Sequence, residues 1–79
     1  MNNKRLKLIQ FLEQSLDSRR DVSLLIMSRT DPSNTYWASY TIMEVFQRDE
    51  QCMCSGVTAD GANRATTILD FAQIIDWIE

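Results

Sequence analysis

The chain has 79 residues, 44% of them apolar and 24% charged, with a net charge of −3 and no histidine. The missing histidine removes the general base of most hydrolytic mechanisms and the commonest metal ligand, so no enzyme, cofactor or metal centre is expected. A chain this short buries only ~60–65% of the surface its unfolded form exposes, and one proline and two glycines leave little for linkers, so residues 1–79 are expected to fold as a single domain around one core.

Residues 4 to about 18 place Leu8, Ile9, Leu12 and Leu16 at helical spacing, with Leu6 and Phe11 widening the stripe. This predicts an amphipathic helix that ends in the cluster Asp17-Ser18-Arg19-Arg20-Asp21. Lys7, Gln10 and Glu13 interrupt the apolar residues, so the segment is no secretory leader. The longest unbroken apolar run, residues 24–27, falls far short of the ~20 residues that span a bilayer. A cytoplasmic protein without a membrane partner is the expectation.

Residues 22–30 carry the apolar block Val22, Leu24, Leu25, Ile26 and Met27, which predicts a covered strand. Asp31-Pro32-Ser33-Asn34 reads as a loop, because proline presets a turn dihedral and Asp, Ser and Asn bond the local backbone. A long strand follows over 36–47, dense in aromatic and β-branched residues. Its alternation puts Tyr36, Ala38, Tyr40, Ile42, Glu44 and Phe46 on one face and Trp37, Ser39, Thr41, Met43 and Val45 on the other.

Arg48-Asp49-Glu50 is a charged turn, and residues 51–59 form a third strand weakened at Gly56, where a bulge or bend fits. Cys52 and Cys54 then share one face at a spacing too poorly directed for an ordinary disulfide, which predicts reduced thiols packed in or beside the core. Asp60-Gly61 suits a two-residue hairpin turn leading to a short fourth strand over 62–67. The competing reading, slightly favoured, is a loop into a final helix capped by Asn63 or Thr67. Ile68, Phe71, Ala72, Ile75 and Ile78 on one stripe, with Asp70, Gln73, Asp76 and Glu79 opposite, predict that helix.

The expected fold is therefore α+β, α-β-β-β-α, an antiparallel three-stranded meander, or four-stranded in the alternative, covered on one face by two helices. This order and the size are similar to the double-stranded RNA-binding domain, a likeness of topology that spans nearly the whole chain. The resemblance implies a lysine cluster at the start of the second helix that grips phosphates. The matching stretch Asn63-Arg64-Ala65-Thr66-Thr67 has a single cation and runs into Asp70, so the resemblance extends to architecture and not to RNA binding.

Charge is unevenly spread: residues 1–29 carry net +3 and residues 30–79 net −6. On the predicted last helix, Asp70, Gln73 and Asp76 share a face as a row of acceptors with Glu79 near its end, and Trp77 lies off the apolar stripe. Tyr36 and Trp37 are aromatic anchors of the kind that dominate interfaces, and Asp49 and Glu50 add carboxylates at a turn. These nine residues are the candidate partner-binding set.

The expected function is a small acidic protein-binding module, of the inhibitor or regulator type that phages and mobile elements direct at nucleic-acid-handling host enzymes, as anti-CRISPR and anti-restriction proteins do. Its partner would be another protein with a basic groove. A nucleic-acid-binding domain using Lys4, Arg5, Lys7, Arg19 and Arg20, or a homodimer joined at sheet edges, are the alternatives.

Overall fold

The computed structural model describes residues 3–57, 61 and 63–78. It contains one α-helix and a five-stranded antiparallel sheet: α1 (Asn3–Ser18), β1 (Asp21–Met27), β2 (Thr35–Phe46), β3 (Gln51–Val57), β4 (Arg64–Asp70), a 3-10 turn (Phe71–Gln73) and β5 (Ile74–Ile78). Strand order across the sheet is β4-β3-β2-β1-β5.

The α1 stripe is as its spacing predicts, with Leu8, Phe11, Leu12 and Ser15 buried and Leu16 and Ile9 packed at its margin, although Leu6 turns outward. The buried Ser15 hydroxyl is satisfied by donating to the Phe11 carbonyl at 2.7 Å. Arg19 ends the helix in the left-handed region (φ 54°), where its N–H closes on the Ser15 carbonyl. The 31–34 loop is also as read: Asp31 Oδ1 accepts from both the N–H and the hydroxyl of Ser33, and Asn34 N–H closes on the Asp31 carbonyl. The Asp60-Gly61 turn lies partly outside the described residues; Gly61 itself has φ +74°.

The final segment departs from expectation. It is not a second amphipathic helix but β4, a 3-10 turn and β5, and the fourth strand weighed over 62–67 runs instead from Arg64 to Asp70. Burial separates the two patterns: Leu69 is buried beside Cys52, while Ile68, which the helical stripe puts in the core, faces out beside Met53. Thr66, Thr67, Ile68, Ile74 and Ile75 suit a pleated strand better than a helix; all but Ile75 pair with β3 or β1, and Ile75 is the extra residue of a bulge in β5 between Ile74 and Asp76. The α-β-β-β-α order, and with it the topological likeness to the double-stranded RNA-binding domain, does not hold.

The sheet must curl sharply. Asp70 lies opposite Gln51, itself opposite Phe46, whereas Ile74 lies opposite Ile26, itself opposite Tyr36. On a flat sheet these points are separated by ten residues along β2, roughly 33 Å, and by four strand spacings, about 19 Å. Four residue steps reach at most about 14 Å. The long β2 makes the bend, pairing with β1 through Thr35–Thr41 and with β3 through Tyr40–Phe46, with a bulge at Met43 between Ile42 and Glu44. At the overlap, Gly56 lies so close to the Tyr40 ring that a Cβ there would sit 2.7 Å from Cε1. The break expected at Gly56 is therefore a close approach; the bulge lies on β2 across from Cys54 and Met53, and it reverses the expected alternation beyond Ile42, so that Val45, opposite Cys52, packs against the core while Glu44 is exposed.

Inside the curl, Leu24, Ile26, Tyr40, Ile42, Cys52, Cys54, Leu69, Phe71 and Ile74 form the core, closed by Leu8, Phe11 and Leu12 of α1. Both cysteines are free and fully buried, as expected. The hydrogen bond with Cys52, then burial, push the Cys54 thiol far above its ordinary range. A thiol reagent such as Ellman's should leave both cysteines unmodified in the native protein and titrate both in denaturant; rapid native modification of either would contradict this packing.

Candidate functional site

The outer face of the sheet is uncovered by α1, and alternation from the buried positions fixes its residues. Trp37 lies there, 49% exposed, directly opposite Leu25, which is opposite Asp76 on β5. One row across three strands thus combines an indole, an aliphatic contact and a carboxylate. Tyr36 is also half-exposed but belongs to the inner set, at the rim above Tyr40.

A polar band crosses the middle of the same face. The Arg64 guanidinium donates to Thr41 Oγ1 at 2.9 Å, to Ser55 Oγ at 3.2 Å and to the Ser55 carbonyl at 3.0 Å, and lies 3.8 Å from Asp21. Thr41 donates its hydroxyl to Asp21. Beyond the band, Met43 and Ile68 form a second exposed apolar cluster around Met53. Reading residues 64–70 with a period of two would have found Arg64, Thr66, Ile68 and Asp70 on this face; the helical period concealed it.

Two of the predicted acceptors serve the fold instead. Asp70 and Gln73 do meet, but in a clamp where β4 turns into β5. The Gln73 side chain is buried; its Oε1 accepts from Arg29 Nε and from the Asp70 N–H, both at 3.1 Å, and its Nε2 donates to the Met27 carbonyl at 3.2 Å. Asp70 accepts from Gln51 Nε2 at 2.9 Å and pairs with Arg29 at 3.4 Å. This clamp ties the crossover to the end of β1 and satisfies the buried amide, which unpaired would cost about 1–3 kcal/mol. The row of acceptors on one helix face does not exist, because its helix does not.

Trp77 is likewise structural: its ring stacks on Phe11 at 5.6 Å between centroids and 24° between planes, joining β5 to α1. Glu50 pairs with Arg5 at 2.9 Å, and its carbonyl receives the Phe71 N–H, so it anchors the 47–50 turn to the helix and the crossover. Asp49 is exposed in that turn, and Glu79 lies outside the described residues. Of the nine candidates, the structure gathers Trp37 and Asp76 into one surface.

Neither a family model, nor a curated protein, nor a solved structure matches this chain. Its chemistry must therefore be read from its own residues. Among the described residues no three His, Cys, Asp or Glu side chains are grouped to hold a metal ion, and no helix is long and apolar enough to cross a membrane.

Tyr40 beneath the rim has its phenol pushed up to about 12, first by burial and then by the neighbouring Tyr36 and Cys54. Below pH ~10 both folded and unfolded chains keep this proton. Above it the unfolded chain ionises first, so stability falls as pH rises through the interval to about 12, by at most ~2–3 kcal/mol. The difference in tyrosinate absorbance between the protein and Tyr40→Phe should place the Tyr40 midpoint near 12; a midpoint near 10 would contradict its burial.

Proposed function

We propose that this protein is a non-enzymatic protein-binding module that docks through the outer face around Trp37. The observation that carries this reading is the row Trp37–Leu25–Asp76 on an uncovered sheet face. Tryptophan is the residue most enriched in interface hot spots, and an aliphatic neighbour with a flanking carboxylate supplies the apolar centre and the polar rim of such a site. The acceptors at its border and the net charge of −3 favour a basic partner surface.

The regulator or inhibitor role suits this chemistry: a compact acidic domain that occupies the basic groove of a nucleic-acid-handling enzyme, as phage or mobile-element inhibitors of anti-CRISPR or anti-restriction type do. Size and charge support that setting, with no motif behind it. Direct nucleic-acid binding through Lys4, Arg5, Lys7, Arg19 and Arg20 is disfavoured by the net charge of −3, and Arg5 is already engaged by Glu50.

The test is affinity capture from a nuclease-treated bacterial lysate, comparing the protein with Trp37→Ala across a salt series. A nucleic-acid-handling protein retained by the first, lost with Trp37→Ala and weakened by salt is the expected result. Equal retention by Trp37→Ala, or recovery of nuclease-sensitive material alone, would overturn the reading.

A further inference from the structure

The sheet ends in two edges, β4 and β5, and an open edge is a template for another strand. The β5 edge is broken: Ile75 is the extra residue of a bulge, and Asp76 Oδ1 accepts the backbone N–H of Trp77 at 2.9 Å. By contrast β4 is regular, pairing with β3 from Arg64 opposite Val57 to Asp70 opposite Gln51 without a shift of register. Among the described residues no strand lies on its far side.

Three contacts fix which backbone groups of β4 point outward. Phe71 N–H donates toward β3, to the Glu50 carbonyl at 2.8 Å, whereas Asp70 N–H goes to Gln73 Oε1 at 3.1 Å and the Ile68 carbonyl receives Arg29 at 3.4 Å. The N–H and C=O of one residue share a side and successive residues alternate. Ala65, Thr67 and Leu69 therefore bond β3, while Arg64, Thr66, Ile68 and Asp70 face the open side. The clamp takes the Asp70 N–H, and the Ile68 carbonyl keeps a second lone pair. An open run of donors and acceptors remains over residues 64–68, centred on Thr66.

We propose that this edge pairs with β4 of a second copy of this chain, antiparallel and two-fold symmetric about Thr66. Self-complementarity identifies the occupant. The pairing sets Thr66 against the copy's Thr66 and Arg64 against its Ile68, and each of these outward-facing pairs exchanges both backbone bonds. Ala65 meets the copy's Thr67 on the inner face. Opposed threonines are a favourable cross-strand pair, and no like charges are directly opposed. Ile68, 39% exposed in the single chain, is covered by the aliphatic stem of the copy's Arg64. Arg64 also lies diagonal to the copy's Asp70 on the same outer face, within reach of a long side chain. Its bonds to Thr41, Ser55 and Asp21 use Nε and Nη2, so Nη1 is open to that carboxylate. The copy's strand begins opposite Ile68, which leaves the clamp and the 3-10 turn intact. A two-fold contact of this kind is isologous, so it closes as a dimer and does not propagate. So short an edge makes a small interface, and the dimer forms in a concentration-dependent way.

The inference is independent of any docking partner at Trp37, since its test uses the purified chain alone. Sedimentation equilibrium at low salt, over a concentration series up to about 1 mM, should show the mean mass rising from the 9.2 kDa monomer toward twice that value. Ile68→Lys places a cation opposite the copy's Arg64 and should hold the chain monomeric. Ile68→Glu places an anion there and should keep the dimer at low salt and lose it at high salt. Thr66→Cys brings two thiols together on the two-fold at a Cα separation of about 5.5 Å, within the range a disulfide spans, so mild oxidation should trap a linked dimer. Ile68→Cys, on the same edge and face but off the two-fold, should not be trapped. Circular dichroism matching the wild type shows that each variant remains folded. A wild-type chain monomeric throughout, equal dimerisation of Ile68→Lys and Ile68→Glu, or equal trapping of the two cysteine variants would each overturn the proposal.

Discussion

Replacing Leu12 with alanine is expected to remove about 2–5 kcal/mol of folding stability. Leu12 is fully buried at the centre of the α1 stripe, and among the described residues α1 is the one α-helix that closes the curled sheet. Truncation there loses the transfer of three heavy atoms and leaves a cavity against strands that are too constrained by pairing to collapse into it. A 79-residue domain has on the order of 4–12 kcal/mol to lose, so the variant should sit close to its unfolding limit. Urea denaturation should show the midpoint falling steeply at unchanged slope. Leu6→Ala, on the same helix but 47% exposed, should stay within roughly 0.5 kcal/mol of wild type. Similar costs for the two would mean that the helix is docked by another face.

Gly56→Ala should cost about 1–3 kcal/mol, a large effect for the addition of one methyl group. The reason is local: the new Cβ would lie 2.7 and 2.8 Å from the Tyr40 ring and 3.3 Å from the Ser39 carbonyl. The ring cannot swing away freely, because Tyr40 is buried in the core, and the carbonyl belongs to the strand ladder. Since β2 turns from β1 to β3 at this point, the strain falls on the bend that lets β4 continue into β5. A double-mutant cycle identifies the contact: in a Tyr40→Leu background the penalty of Gly56→Ala should shrink by at least half. An undiminished penalty would place the cost in the backbone of β3 and not in the ring.

These two sites also divide what could be read from the chain. Leu8, Leu12 and the alternation of Tyr40 and Ile42 are local patterns, each set by one periodicity, and they place α1, β2 and the buried Cys52 and Cys54 as found. Asp31 and Ser33 likewise carry their own turn chemistry. Residues 68–78 carry a helical spacing because two short strands joined by a three-residue 3-10 turn break the period of two. That break spaces Ile68, Phe71, Ala72, Ile75 and Ile78 as a helix would. The curl that makes a strand crossover feasible is produced elsewhere, by the Met43 bulge and the Gly56–Tyr40 contact, and no window around residue 70 contains it. The same spacing governs the candidate site. Trp37 follows from β2 alternation and stands on the outer face, whereas Asp70 and Gln73 were aligned only on a helix and are consumed by the clamp with Arg29.

The functional reading depends on an unequal division between the two tryptophans: Trp37 presented on the outer face, Trp77 stacked on Phe11 within the seam of helix and sheet. Acrylamide quenching of Trp37→Phe and Trp77→Phe, each retaining a single indole, measures that division directly. Strong quenching and red-shifted emission from Trp37, with weak quenching and blue-shifted emission from Trp77, is the predicted result. Equal accessibility, or a shielded Trp37, would contradict the docking face on which the proposed function rests.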